Sequence, residues 1–76
     1  MLIVIYANAE LLERARSKNG MTKKDLAKKI GSSHSVIVRA EQSKGVSPST
    51  AKKLCEALGL DFDELFKVGK RAELHA

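Results

Sequence analysis

The segment Thr22–Gln42 reads TKKDLAKKIGSSHSVIVRAEQ, and its pattern decides the fold of the chain. Thr22, followed three residues later by Asp25, is typical of the start of a helix because each side chain can bond the other's backbone N–H. Gly31 interrupts the apolar period, and a second helix over residues 33–42 is expected, capped by Ser32 or Ser33 and ending at about Glu41 or Gln42. The segment therefore predicts two short helices joined by a tight glycine-containing turn.

The apolar residues of this segment fall on one side of each predicted helix. The small side chain of Ala27 lets the second helix cross closely, and Ile30 and Ile37 fill the angle between the two helices. This arrangement is a helix-turn-helix, which leaves the polar N-terminal end of the second helix pointing outward. A helix that enters the DNA major groove needs such an exposed end.

Residues that typically begin or end helices predict further helices before and after the segment Thr22–Gln42. Asn8 and Gly20 bound a first helix, Ser47-Pro48 starts a fourth that stops at Gly59, and Asp61 starts a short fifth. The chain is therefore expected to be mainly α, a five-helix repressor-like domain with a short N-terminal β-strand. Inward positions of the first and fourth helices are expected at Leu11, Leu12, Ala15, Ala51, Leu54, Cys55 and Leu58.

The strand is predicted at a run of five apolar residues, Leu2, Ile3, Val4, Ile5 and Tyr6. Since no second run of this kind follows, its edge invites pairing with another copy, and we expect it to dimerise across a two-fold axis. Folding back near Leu65–Val68 is the alternative. Residues 1–7 thus form the strand and residues 8–68 the helical domain. Residues 69–76 form a tail, and we expect fraying from Lys67 onward.

Composition narrows the class of protein. The chain has 76 residues, one cysteine, two distant histidines and a net charge of +5. A single cysteine excludes an internal disulfide framework, and these residues do not make a zinc site, so no metal or cofactor is expected. The positive charge favours a polyanion, nucleic acid first. The apolar run Met1–Ala7 is too short to span a bilayer, so a soluble cytoplasmic protein without membrane contact is expected.

No catalytic arrangement is expected. Serines at 32, 33 and 35 flank His34, but neighbouring residues of a helix do not face one another, and no carboxylate is placed to orient the histidine.

The segment resembles the Cro/Xre-type helix-turn-helix family of phage, plasmid and bacterial transcriptional regulators. It matches the run S/T-x-x-x-L-A-x-x-x-G-x-S/T-x-x-x-I-x-x-x-E, and the similarity continues through Ser47–Ser49, Ala57–Leu60 and Glu64–Phe66. It covers roughly residues 8–68. The resemblance implies a DNA-binding domain of five helices that acts as a dimer on a two-fold operator of double-stranded DNA. It also implies a structural ion pair between Arg16 and Glu41.

The resemblance places three of the candidate base-reading residues, and Val36 is added because it can contact a thymine methyl group. The base-reading candidates are His34, Ser35, Val36 and Arg39. The candidates for phosphate contact include Lys44, which can reach the backbone from the loop that follows the second helix of the motif. The phosphate candidates are Lys23, Ser33 and Lys44.

Two positions depart from the family pattern. Ser43 stands where glycine is usual, so the positive φ of this turn is expected at Gly45. Val36 and Val38 make the reader helix more apolar than its outer face requires. The first interpretation is a sequence-specific, dimeric DNA-binding regulator, a repressor. The alternatives are an antirepressor that binds another regulatory protein, or the antitoxin of a toxin–antitoxin pair.

Overall fold

The computed structural model describes the backbone of residues 2–71 and the side chains of residues 4–69. Within that range the chain forms five helices and three strands, which confirms the mainly helical class and the N-terminal strand. The helices are α1 Ala9–Lys18, α2 Lys23–Lys29, α3 His34–Ala40, α4 Pro48–Leu58 and α5 Phe62–Leu65. The strands are β1 Leu2–Ala7, β2 Gly45–Val46 and β3 Phe66–Arg71.

The ends of α1 and α4 lie where the sequence predicts them. Asn8 and Ser47 each accept a hydrogen bond from the backbone N–H three residues on, both at 3.1 Å. Gly20 and Gly59 follow the two helices in the left-handed region, at φ of +69° and +68°. The local capping chemistry therefore fixes both helices.

The helix-turn-helix begins with a reciprocal capping pair. Thr22 Oγ1 accepts from the N–H of Asp25 at 3.1 Å, and Asp25 Oδ2 accepts from the N–H of Thr22 at 3.0 Å. The hydrogen bond from the Thr22 backbone lowers the pKa of Asp25, since it favours the charged carboxylate. After α2 the chain turns at Gly31, at φ of +67°.

The core lies between the five helices and one face of the sheet. Its largest fully buried side chains are Leu12, Leu26, Ile37, Leu54 and Leu65. Removing each such side chain from water contributes about 1.5–3 kcal/mol, so α1 to α5 all depend on this cluster. The inward residues predicted for α1 and α4 lie here, with Leu11 and Cys55 only half-buried.

The pairing expected for the N-terminal strand is wrong. The sheet order is β2-β1-β3, and both neighbours are antiparallel to β1. Ile5 faces Val46 on one side and Val68 on the other. Because β3 pairs with β1 from Leu2 to Ala7 and β2 pairs with it at Ile5 and Tyr6, β1 is a central strand whose partners lie within its own chain. The fold-back alternative is the one that the structure shows.

The tail also differs from the expectation. Residues expected to fray from Lys67 onward form β3 as far as Arg71, and residues 72–76 lie outside the described part. The reason is that β1 offers a row of backbone donors and acceptors along its edge, and pairing with β3 satisfies them.

The turn after α3 has its positive φ at Ser43, at +58°, and not at Gly45 as expected. Gly45 serves a different purpose, because a Cβ atom at that position would clash with Cγ1 of Val4. The glycine therefore allows β2 to approach β1 closely.

Candidate nucleic-acid interface

Helix α3 has one buried side and one exposed side. Ile37 and Ala40 are fully buried, whereas His34, Ser35 and Arg39 are exposed. The buried side packs against α2, which contributes Leu26, Ala27 and Ile30 to the core. The polar first turn of α3 is therefore presented to solvent on a rigid support.

Two serine hydroxyl groups mark the start of this exposed side. Ser33 occupies the N-cap position of α3, and its Oγ lies 3.0 Å from Oγ of Ser35. Both residues are exposed and lie on either side of His34. Together they form a small cluster of hydrogen-bonding groups that can act as donors or acceptors.

A bidentate ion pair connects α1 to the far end of α3. Arg16 Nε lies 2.7 Å from Glu41 Oε2, and Arg16 Nη2 lies 3.1 Å from Oε1, with side chains only 11% and 7% exposed. A third donor, Nη1, bonds the carbonyl oxygen of Met21 at 2.9 Å. The hydrogen bond to Glu41 raises the pKa of Arg16. The expected structural pair is confirmed, and it fixes α3 relative to α1.

The apolar residues of α3 are less exposed than the sequence suggested. Val36 and Val38 are both half-buried. Val36 lines a small hollow with Arg39, Val46 and Thr50, where α3 meets β2 and the start of α4. Part of the Val36 side chain thus packs within its own domain, which accounts for a valine there.

The cations predicted to contact phosphate lie at the two ends of the motif. Lys23 is the first residue of α2 and is half-buried, and Lys44 is exposed in the loop after α3. The backbone N–H of Lys44 donates to the carbonyl oxygen of Arg39 at 3.0 Å, which folds the loop back onto α3. The structure thus brings Lys44 and Arg39 together, whereas Lys23 lies on α2.

The sequence reasoning missed a surface beside α3. On β1, Ile5 packs against the core and Ala7 is buried, so the alternate residues Val4 and Tyr6 lie on the outer face of the sheet. They line a shallow depression next to the end of α3, which we call the sheet trough. Its lining residues are Val4, Tyr6, Arg39, Ser43, Lys44 and Gly45. Because Leu2–Tyr6 is apolar at every position, the sequence indicated neither which of these residues face outward nor what lies beside them.

In the described part of the chain, no group of three or more His, Cys, Asp and Glu side chains is placed to hold a metal ion. Over the same residues, no helix combines the length and the apolar character needed to cross a bilayer.

Helix α3 packs on α2 through its buried side and leaves its polar side exposed, which is the arrangement of a helix-turn-helix domain. A family model described as Helix-turn-helix matches residues 12–65. The chain belongs to this family, which is of the Cro/C1 type and consists of DNA-binding domains, and the resemblance drawn from the sequence is thereby confirmed.

The fold is similar to that in the crystal structure of the transcriptional regulator VanUg. The TM-score is 0.65 at 21% sequence identity, and the match covers 93% of this chain and 92% of that chain. Among curated protein sequences, none matches this chain significantly.

Proposed function

We propose that this protein is a sequence-specific transcriptional regulator, acting as a repressor, that reads the DNA major groove with α3. The observation that supports this role most directly is the exposed polar side of α3, held outward by the fully buried Ile37 and Ala40. A helix presented in this way can enter a groove about 12 Å wide without losing its packing. The net charge of +5 favours attraction to the phosphate backbone.

The base contacts are assigned to the exposed side chains of α3. His34 and Ser35 lie in its first turn and reach base edges first. Arg39 lies one turn beyond Ser35 and can bond O6 and N7 of guanine together, which is worth about 1–3 kcal/mol of discrimination. The half-exposed part of Val36 contacts a thymine methyl group.

The phosphate contacts are assigned to Lys23, Ser33 and Lys44, which lie around the reader helix. Such contacts set the position of the protein on the duplex and carry no sequence information of their own. They supply most of the affinity, and for that reason binding weakens as salt increases.

The regulator is further proposed to act as a homodimer on a two-fold operator. Two reader helices about 34 Å apart would occupy successive major grooves on one side of the duplex. Since β1 is central in its own sheet, the contact between subunits is assigned to a surface other than residues Leu2–Tyr6.

The test begins with selection of bound duplexes from a random DNA pool. On the selected site, Arg39→Ala is expected to lower discrimination at one position in each half-site by about 5- to 150-fold, the equivalent of a lost bidentate contact. Lys18→Gln, at the end of α1 beside Leu58 and Gly59, serves as the control that removes a positive charge. Equal losses on selected and random DNA for Arg39→Ala would contradict its base-reading role.

A second candidate function is supported by Val36 and Val38, which leave apolar surface on α3 half-exposed. This surface suits a partner protein, such as another regulator that the chain would cover. A gel shift on random DNA at about 50 mM salt separates the two functions, because a basic DNA-binding domain binds any duplex under that condition. Failure to shift DNA would favour the protein partner.

A further inference from the structure

We propose that the sheet trough extends the DNA interface, holding the phosphate backbone beside the base pairs read by α3, with Tyr6 as a phosphate ligand. The proposal rests on the proposed function, since it assigns more of the same duplex to the protein. It concerns a surface on the sheet, which is outside the helix-turn-helix motif.

The trough is continuous with the proposed reading surface. Arg39 contributes both to the exposed side of α3 and to the lining of the trough, and Lys44 follows it in the same lining. The hydrogen bond from the Lys44 N–H to the Arg39 carbonyl folds the loop back onto α3, and both cationic residues line the trough. A DNA phosphate backbone that runs past the end of α3 would therefore reach the trough next.

The charge of the lining favours an anion. Of the six residues that line the trough, two are cations and none is acidic. Lys67 lies directly opposite Tyr6 in the pairing of β1 with β3, and it is exposed. Cross-strand partners project to the same face, so Lys67 adds a third cation beside the Tyr6 ring.

Acidic side chains set a limit to this surface. Glu10, Asp63 and Glu64 line a neighbouring depression at the Ala7 end of β1, which also includes Tyr6 and Lys67. Phosphate would be repelled there, so the backbone path is assigned to the side of Tyr6 that faces Lys44 and Val4.

Tyr6 is placed to serve as a neutral donor on this surface. Its ring is half-buried and leans over Gly69, where a Cβ atom would lie 3.4 Å from Cε2 of the ring. Gly45 and Gly69 have no side chains that would cover the ring. The DNA phosphate backbone can therefore approach it. A tyrosine hydroxyl can donate a hydrogen bond to a phosphate oxygen.

Adjacent residues of β3 provide a matched test. Gly69 is opposite Val4 on the outer face, whereas Val68 is opposite Ile5 on the other face and is 57% exposed. Gly69→Glu and Val68→Glu therefore add the same charge one residue apart but on opposite sides of the sheet. A side chain at Gly69 makes ordinary contact with Tyr6, and thermal melts establish that each variant folds.

Binding is measured by fluorescence anisotropy on the selected operator and on a random duplex. Gly69→Glu is expected to weaken binding to both duplexes by about fivefold, and Gly69→Lys is expected to strengthen it. Val68→Glu is expected to change binding less than twofold. Tyr6→Phe keeps the ring and removes only the hydroxyl, and is expected to weaken binding at least about tenfold, because one hydrogen bond to a charged group is lost. In hydroxyl-radical footprints, the Gly69→Glu and Tyr6→Phe variants should protect less of the DNA backbone beside the base pairs that Arg39 reads.

The outcomes separate this proposal from the proposed function. If Gly69 and Tyr6 variants bind and protect DNA like the parent while Arg39→Ala still changes sequence preference, the trough proposal is overturned and the regulator function stands. Equal effects of the Gly69 and Val68 charges would also overturn it, since only net charge would then matter. If the parent protein binds polyglutamate, a polyanion that is not a nucleic acid, but binds no DNA duplex, the trough proposal and the proposed function are both overturned.

Discussion

At the scale of single residues, Ser43 shows how one position departs from its preferred backbone. Its φ of +58° is in the left-handed region, where the backbone conformation of a residue other than glycine costs about 1–2 kcal/mol of stability. The turn is held there by hydrogen bonds from the N–H of Ser43 to the carbonyl of Ala40 and from the N–H of Lys44 to that of Arg39. The serine is therefore retained at a local cost in stability.

We accordingly predict that Ser43→Gly stabilises the domain. The gain is expected to be about 0.5–1 kcal/mol, since the relieved backbone strain exceeds the added freedom of the unfolded chain. For a domain of this size, 1 kcal/mol corresponds to roughly 4–8 °C in melting temperature. Ser17→Gly, within α1, is the matched control and should lower the melting temperature. A decrease in both variants would contradict the assignment of strain to Ser43.

At the scale of the elements, the Arg16–Glu41 pair joins α1 to the end of α3. We predict that Arg16→Met destabilises the domain by about 3 kcal/mol, because it leaves the carboxylate of Glu41 unpaired at 7% exposure. The double variant Arg16→Met, Glu41→Leu should recover most of that loss, as urea unfolding would measure. Arg14→Met, on the exposed side of α1, is the control and should have little effect. A double variant as unstable as the single one would show that the pair itself stabilises the fold.

The capping pair of α2 predicts a dependence of stability on pH. The hydrogen bond from the Thr22 N–H lowers the pKa of Asp25 in the folded state, so the carboxylate stabilises the fold at pH values above its ordinary unfolded pKa. That contribution is lost as the pH falls through the lower folded pKa. The melting temperature of the parent should therefore exceed that of Asp25→Ala at neutral pH, with the difference shrinking in acid. A difference that stays constant down to pH 2 would contradict this account.

The elements also show which structure was predictable from sequence. Caps such as Thr22 with Asp25 involve atoms three residues apart, so their spacing is read directly from the chain. The pairing of Leu2 with Arg71 joins residues near opposite ends, and no local pattern specifies it. The segment Phe66–Arg71 also has three charged residues and one glycine, which conceal a strand. The helices and the first strand were therefore predictable, whereas the sequence did not decide between the possible partners of that strand.

The same distinction applies to the candidate site. The exposure of His34, Ser35 and Arg39 follows from helical periodicity once Ile37 is assigned to the core. The position of Tyr6 beside Arg39 depends on β2 and the loop before it, which place the end of α3 against the sheet. A surface assembled from separate elements was therefore missed, whereas one formed by a single helix was found.

At the scale of the whole molecule, the salt dependence of DNA binding measures how many of the proposed phosphate contacts form. The proposed phosphate contacts of Lys23 and Lys44 lie at two ends of the helix-turn-helix motif, and each neutralised phosphate contributes about 0.9 to the slope of log K against log salt. The slope therefore counts contacts over the entire assembly on DNA. A variant that removes one lysine from every subunit changes the slope once for each subunit bound.

We therefore predict that Lys23→Gln reduces the magnitude of the slope by about 0.9 if one subunit binds and by about 1.8 if two do. Affinity for selected and random DNA should fall by the same factor, because phosphate carries no sequence information. Lys18→Gln, on the far end of α1, should leave the slope unchanged. Titration of the selected operator across a range of salt concentrations measures both quantities. A change near 1.8 would support the proposed homodimer, a change near 0.9 would contradict it, and an unchanged slope would remove Lys23 from the interface.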